Sequence, residues 1–212
     1  MASDFSSTSM VVAGTVGDDS AFAVSTDGAV SFNERGLIDD GVAPGATIVT
    51  GLTLSPDYVN DSTMFAISDN NNAVVNNSNV WVTNDGGSTW DRAFTGTLTV
   101  AGTGVIVVSP DFATDSTVYV GDTGGTAIWY SSTGGMKWSA RTVGNVTGIQ
   151  SMAASDATTI YVGDSASGSI TKSINAGWIW PSSKFKATGA GTRVARCNAF
   201  LFSRPRCTGN AP

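Results

Sequence analysis

Histidine is missing altogether from this 212-residue chain, and charged residues make up only 13% of it. The first absence removes the commonest general base and neutral-pH metal ligand, which argues against catalysis. Cysteine occurs twice, at Cys197 and Cys207. Two thiols with no histidine do not make a zinc site; they close a small loop in an oxidising compartment or stay reduced in the cytosol. No apolar run approaches the length of a membrane span. The opening stretch "MASDFSSTSMVVAG" lacks the basic and apolar regions of a signal peptide. Two readings follow: an intracellular protein, or a piece of a longer exported chain.

Acids outnumber bases, and the net charge is −6. The imbalance is uneven, because Lys184, Lys186, Arg193, Arg196, Arg204 and Arg206 all lie in the last 29 residues, which hold no acid. The preceding body has a balance of −12. Such a surface repels a phosphate backbone, which excludes nucleic acid as a partner. What is abundant is glycine, at 25 residues, together with serine, threonine and asparagine. That composition fits one β-rich domain with many turns.

One turn stands out. "TNDGGSTW" (83–90) ends a surface-type sequence in the largest apolar side chain, and its pattern recurs as "STDGAVSF" (25–32), "SSTGGMKW" (131–138) and "SINAGWIW" (173–180). Position one is Ser25, Thr83, Ser131 and Ser173, spaced 58, 48 and 42 residues apart. Position three is Asp27, Asp85, Thr133 and Asn175; position five is Ala29, Gly87, Gly135 and Gly177; position eight is Phe32, Trp90, Trp138 and Trp180. This is an internal repeat. Alternating runs such as "SAFAVS" and "NVWVT" precede each turn, and runs such as "STMFAIS" and "STVYVGD" precede those. Short β-branched and aromatic runs bounded by Gly, Asp, Asn and Pro read as strands. The unit is a four-stranded antiparallel meander of about 40–50 residues.

The turn chemistry follows from side-chain geometry. A short Asp accepts bonds from nearby turn N–H groups, the Ser25 or Thr83 hydroxyl and that of Thr89 bond locally, and glycine at position five permits a positive φ. The terminal aromatic folds back and locks the turn by burying about 150–250 Å².

The pattern Ser/Thr-x-Asp-x-Gly-x-Thr-Trp resembles the Asp-box, or BNR repeat, found between the third and fourth strands of β-propeller blades in sialidases, sortilin-type receptors, xyloglucanases and photosystem II assembly factors. "LSPDYVNDSTMFA" and "VSPDFATDSTVYV" also resemble bacterial surface propellers with sortilin-like blades. The resemblance covers residues 10–187 and implies an all-β fold, a partial β-propeller of about four Asp-box blades at 9–37, 46–95, 103–143 and 147–187. The first blade lacks an obvious first strand, and 188–212 reads as a basic, poorly ordered tail containing one strand-like run, "NAFLF". The boxes are structural in this family rather than catalytic.

Other candidates are few. Asp57 and Asp61, with Asp111 and Asp115, repeat an Asp-x-x-x-Asp loop. This either shapes the loop through Asx-type caps or gathers oxygens for calcium; the first reading is preferred, with no cofactor. A sialidase implies an arginine triad, a Tyr–Glu pair and an Arg-Ile-Pro segment. This chain has one glutamate, Glu34, and its body arginines Arg35, Arg92 and Arg141 follow the boxes, where they read as outer-strand surface residues. "NNNAVVNNSN" (70–79) reads as a loop insertion. The expected function is a non-catalytic binding or scaffold module of an extracellular or cell-surface protein. It would take a protein or glycan partner and self-associate through open sheet edges. The alternatives are a fragment of a propeller glycoside hydrolase and an intracellular assembly factor.

Overall fold

The computed structural model describes residues 5–15, 20–38, 48–69, 77–97 and 104–186. The tail with Cys197 and Cys207, the "NAFLF" run and most of the Asn-rich insertion lie outside the described residues. Of that insertion, Asn77, Ser78 and Asn79 belong to a strand rather than a loop.

The strands form four antiparallel sheets, one after another in sequence. The first has three strands: β1 (Val11–Gly14), β2 (Ser20–Ser25) and β3 (Asn33–Ile38). The second has β4 (Ile48–Leu54), β5 (Met64–Asp69), β6 (Asn77–Thr83) and β7 (Asp91–Thr97). The third has β8 (Gly104–Val108), β9 (Val118–Asp122), β10 (Ala127–Ser131) and β11 (Ser139–Thr142). The fourth has β12 (Ile149–Ala154), β13 (Ile160–Asp164), β14 (Ser169–Ser173) and β15 (Phe185–Lys186). Each is a meander whose neighbours in sequence are neighbours in space.

Three one-turn helices lead into the second-strand positions: α1 (Phe5–Thr8) before β1, α2 (Tyr58–Asp61) before β5 and α3 (Phe112–Asp115) before β9. Each is closed by the same bond, from the N–H of Ser9, Ser62 or Ser116 to the carbonyl of Phe5, Tyr58 or Phe112, at 2.8 Å. Ser9, Ser62 and Ser116 all adopt φ near +50°. So β1 is the counterpart of β5 and β9, and the first sheet has no strand in the innermost position among the described residues.

The core lies between sheets rather than within them. Second-strand positions are covered on both faces, so Met64–Ile67 and Val118–Val120 are buried without alternation. Phe22, Ala66 and Trp81 join the first sheet to the second. Phe65, Val82, Phe112 and Val118 join the second to the third. Tyr119, Ile128, Ile149, Met152 and Ile160 join the third to the fourth. The first strands β4, β8 and β12 stand side by side, and among the described residues no substantial contact joins the fourth sheet to the first. A register shift recurs at one place in the outer pairs, at Phe22/Ala23 and at Val80/Trp81. Recurrence of a bulge at repeat-equivalent positions marks it as part of the unit. No described helix is long and apolar enough to cross a membrane.

Candidate functional site

The four repeated turns share one hydrogen-bond skeleton. The position-five N–H donates to the position-one hydroxyl in all four, from Ala29 to Ser25 at 2.9 Å, and from Gly87, Gly135 and Gly177 to Thr83, Ser131 and Ser173 at 3.0 Å. In three turns that hydroxyl donates onward to position three: Ser25 to Asp27 at 2.7 Å, Thr83 to Asp85 and Ser173 to Asn175 at 2.8 Å. The position-three oxygen accepts the N–H of position seven, from Ser31 at 3.0 Å and from Thr89, Lys137 and Ile179 at 2.9 Å. Thr133 and Asn175 therefore do the work of the aspartate with a neutral oxygen.

A second tie was not legible as a motif. The position-four N–H of Gly28, Gly86, Gly134 and Ala176 donates to the carbonyl of Ser9, Ser62, Ser116 and Thr158. Each turn is thereby fastened to the loop entering the second strand of its own sheet. Position four needs positive φ as well as position five, from 58° at Ala176 to 75° at Gly28. The Gly-Gly pairs at 86–87 and 134–135 were the available signal.

The loops at the other end of that tie hold the remaining aspartates. Asp61 accepts from Ser55 Oγ at 2.5 Å and from the Thr63 N–H at 2.8 Å. Asp115 does the same with Ser109 Oγ at 2.6 Å and the Thr117 N–H at 2.8 Å. Asp57 and Asp111 stand at the start of α2 and α3 without a side-chain capping bond; Asp57 instead accepts from the Asn60 amide at 2.6 Å. Among the described residues no group of three or more potential ligands is arranged to hold a metal.

The terminal rings reach across to the preceding sheet. Trp90 stacks on Phe22 with centroids 4.3 Å apart, and Trp138 lies 5.7 Å from Phe94. Trp180 packs on the cluster containing Tyr119 and Ile128. The indoles of Trp138 and Trp180 also close their own turns, donating to the Gly135 and Gly177 carbonyls at 2.7 and 3.0 Å. Trp90 Nε1 is buried without a partner among the described residues. Phe32 meets no preceding sheet among the described residues and is 44% exposed. The ring therefore clamps sheet to sheet, beyond locking its own turn.

The arginines divide differently from the sequence expectation. Arg35 and Arg141 both stand three residues after the terminal ring, where the second sheet has Ala93; Arg92 stands one place earlier. Arg35 and Arg92 are exposed, whereas Arg141 is 8% exposed. Its guanidinium is held between the Tyr130 ring at 4.0 Å and the Trp178 ring at 4.5 Å. It is an inter-sheet residue, because a planar cation stacks on aromatic faces.

No family model and no curated protein matches the chain. Solved structures do. A GH74 enzyme from Niastella koreensis is 26% identical over 81% of this chain and 27% of its own, with a TM-score of 0.57. The GH74 xyloglucanase of Xanthomonas campestris is 11% identical over 82% of this chain and 28% of its own, with a TM-score of 0.56. YCF48 bound to D1 peptide is 13% identical over 80% of this chain and 49% of its own, with a TM-score of 0.51. The sheets are β-propeller blades. The chain spans about a quarter of the hydrolases and half of YCF48.

Blade turns are also where acidity is perturbed. Hydrogen bonds from the Thr89 N–H, the Thr89 hydroxyl and the Thr83 hydroxyl lower Asp85 to about 2. Bonds from Ser31, first its hydroxyl and then its N–H, and from Ser25 hold Asp27 far below the usual range. Burial raises Asp156 and Asp164, yet donors from Thr158 and Thr159 bring the first to about 2, and Lys184, Ser167 and Thr147 hold the second lower still. Each carboxylate protonates at lower pH in the folded than in the unfolded chain. Its contribution is present above about pH 4 and is lost as pH falls through the folded value, about 2 for Asp85 and Asp156 and lower for Asp27 and Asp164. Thermal melting is expected to be flat from about pH 6 to 4 and to drop steeply below. Asp85→Asn, which keeps the accepting oxygen as Asn175 does, should shallow that acid limb.

Proposed function

We propose that this chain is a non-catalytic binding or scaffold module of an exported or cell-surface protein. The observation that carries this reading is that the repeated acids are engaged in their own loops. Asp27, Asp85, Asp61 and Asp115 each accept two or more hydrogen bonds that shape a turn. A general acid or nucleophile needs a carboxylate aimed at substrate. The YCF48 neighbour, bound to a peptide, supports a protein as the partner class. A glycan is the second partner class, because GH74 enzymes share the blades.

The test is direct. Purified chain is expected to turn over neither aryl β-glycosides nor xyloglucan; release of aglycone or of reducing ends would replace this reading with the hydrolase one. That second reading is favoured by the 26% identity to the Niastella enzyme.

Among the described residues no strand pairs with the inner edge of β1, which lies beside a cavity of about 140 Å³ lined by Val12 and Leu52–Leu54. An unpaired strand edge is a template for another chain. Light scattering at micromolar concentration should therefore give a mass above that of one chain, and a clean monomer would remove self-association from the proposal.

A further inference from the structure

The three junctions between blades are built alike but filled differently. In each, the glycine at box position five faces the residue three places after the preceding terminal ring. A Cβ built on Gly87 would stand 3.7 Å from Arg35 Cβ, one on Gly135 3.7 Å from Ala93 Cβ, and one on Gly177 3.6 Å from Arg141 Cδ. At the third junction the arginine runs over the glycine, and its guanidinium is sandwiched by Tyr130 and Trp178. The equivalent walls at the second junction are Val82, preceding Thr83 as Tyr130 precedes Ser131, and Met136, at box position six like Trp178. Ala93 leaves the space between them unfilled. The result is a groove of about 560 Å³ lined by Val82, Ala93, Phe112 and Met136, with Asp91 and Arg92 also in its lining. Met136 is 84% exposed, so this wall is open to solvent.

We propose that this groove binds an arginine side chain from a partner polypeptide, its guanidinium lying between Val82 and Met136 where Arg141 lies one junction on. The assignment rests on the reading of the chain as a protein-binding module. Phe112 and Val82, each 8% exposed, form the apolar floor against which the methylene stem lies. Met136 gives a polarizable contact for the planar head. Asp91, an exposed carboxylate in the lining, supplies the counter-charge. Arginine fits better than lysine because its head is planar and weakly hydrated. An acidic side chain, drawn by Arg92 instead, is the competing occupant.

Capped five-residue glycine peptides carrying one central Arg, Lys, Leu or Glu test this, with backbone amide shifts of Ala93, Gly134, Gly135 and Met136 as the readout. The Arg peptide should shift these amides saturably, with a millimolar dissociation constant and about threefold or greater preference over the other three. Ala93→Arg should abolish the shifts, because the chain then fills its own groove as Arg141 does. Asp91→Asn should weaken binding by about threefold, and serves as the test if Ala93→Arg does not fold. No shift at about 10 mM peptide, preference for Glu, or unchanged binding by folded Ala93→Arg would each overturn the proposal. Glycoside turnover with intact arginine binding would overturn the scaffold reading alone.

Discussion

Trp138→Ala should lower stability by about 2–3 kcal/mol, below the ~3–5 kcal/mol for a fully buried ring because Trp138 is half-buried, whereas Phe32→Ala should cost about 0.5 kcal/mol or less. Both occupy position eight of the same repeat. Trp138 touches the clusters around Phe65, Val82 and Val118 and around Ile67, Val80 and Val120. It is a seam residue for the second and third blades, and its indole closes its own turn on Gly135. Phe32 closes no seam among the described residues and is 44% exposed. Blade arrays derive stability from units plus neighbour interfaces. Urea unfolding followed by circular dichroism should therefore show the Trp138→Ala midpoint fall and the transition broaden as the halves uncouple. Equal effects of the two substitutions would show that the ring serves its own turn only.

Gly36→Ala is expected to separate the first blade from the second. A Cβ at Gly36 would stand 2.6 Å from the Gly87 carbonyl oxygen and 3.5 Å from that of Ser88. The obstacle is backbone held by the Thr83–Asp85 turn, so the strain is relieved only by moving β3 away, which loosens the Phe22–Trp90 stack. Overpacking of this kind costs about 1–3 kcal/mol, or a fall of several degrees in melting temperature for a chain of this size. Limited proteolysis should release residues up to 38 early. Gly144→Ala is the control: nothing lies within 4 Å of its Cβ position, and melting should not change. An unchanged digestion pattern for Gly36→Ala would mean that the first blade is not seated by this contact.

The parts of the fold that were legible are those fixed by neighbours in sequence. The Asp27 and Asp85 turns need only oxygens and N–H groups within a few residues, so spacing alone exposes them. Even there the reading was incomplete. Thr133 lacks a carboxylate, yet Oγ1 accepts the Lys137 N–H in the same way at 2.9 Å. Of the aspartates expected to shape these loops through Asx-type caps, Asp61 and Asp115 do so by accepting the Thr63 and Thr117 N–H, whereas Asp57 and Asp111, at the starts of α2 and α3, make no side-chain capping bond. Arg141 was misplaced on the surface since nothing local shows that Trp178 and Tyr130 will enclose it.

Periodicity and hydrogen-bonding chemistry were enough, by themselves, to determine four copies of a strand–turn–ring unit, because every bond that makes the unit is short-range. Which face each ring covers, why Phe32 stays open while Trp138 is engaged, and where Ala93 leaves a groove were settled only when the blades packed. Those outcomes depend on side chains in the neighbouring repeat, far off in sequence, and apolar burial is non-directional, so sequence carries no local record of its partner.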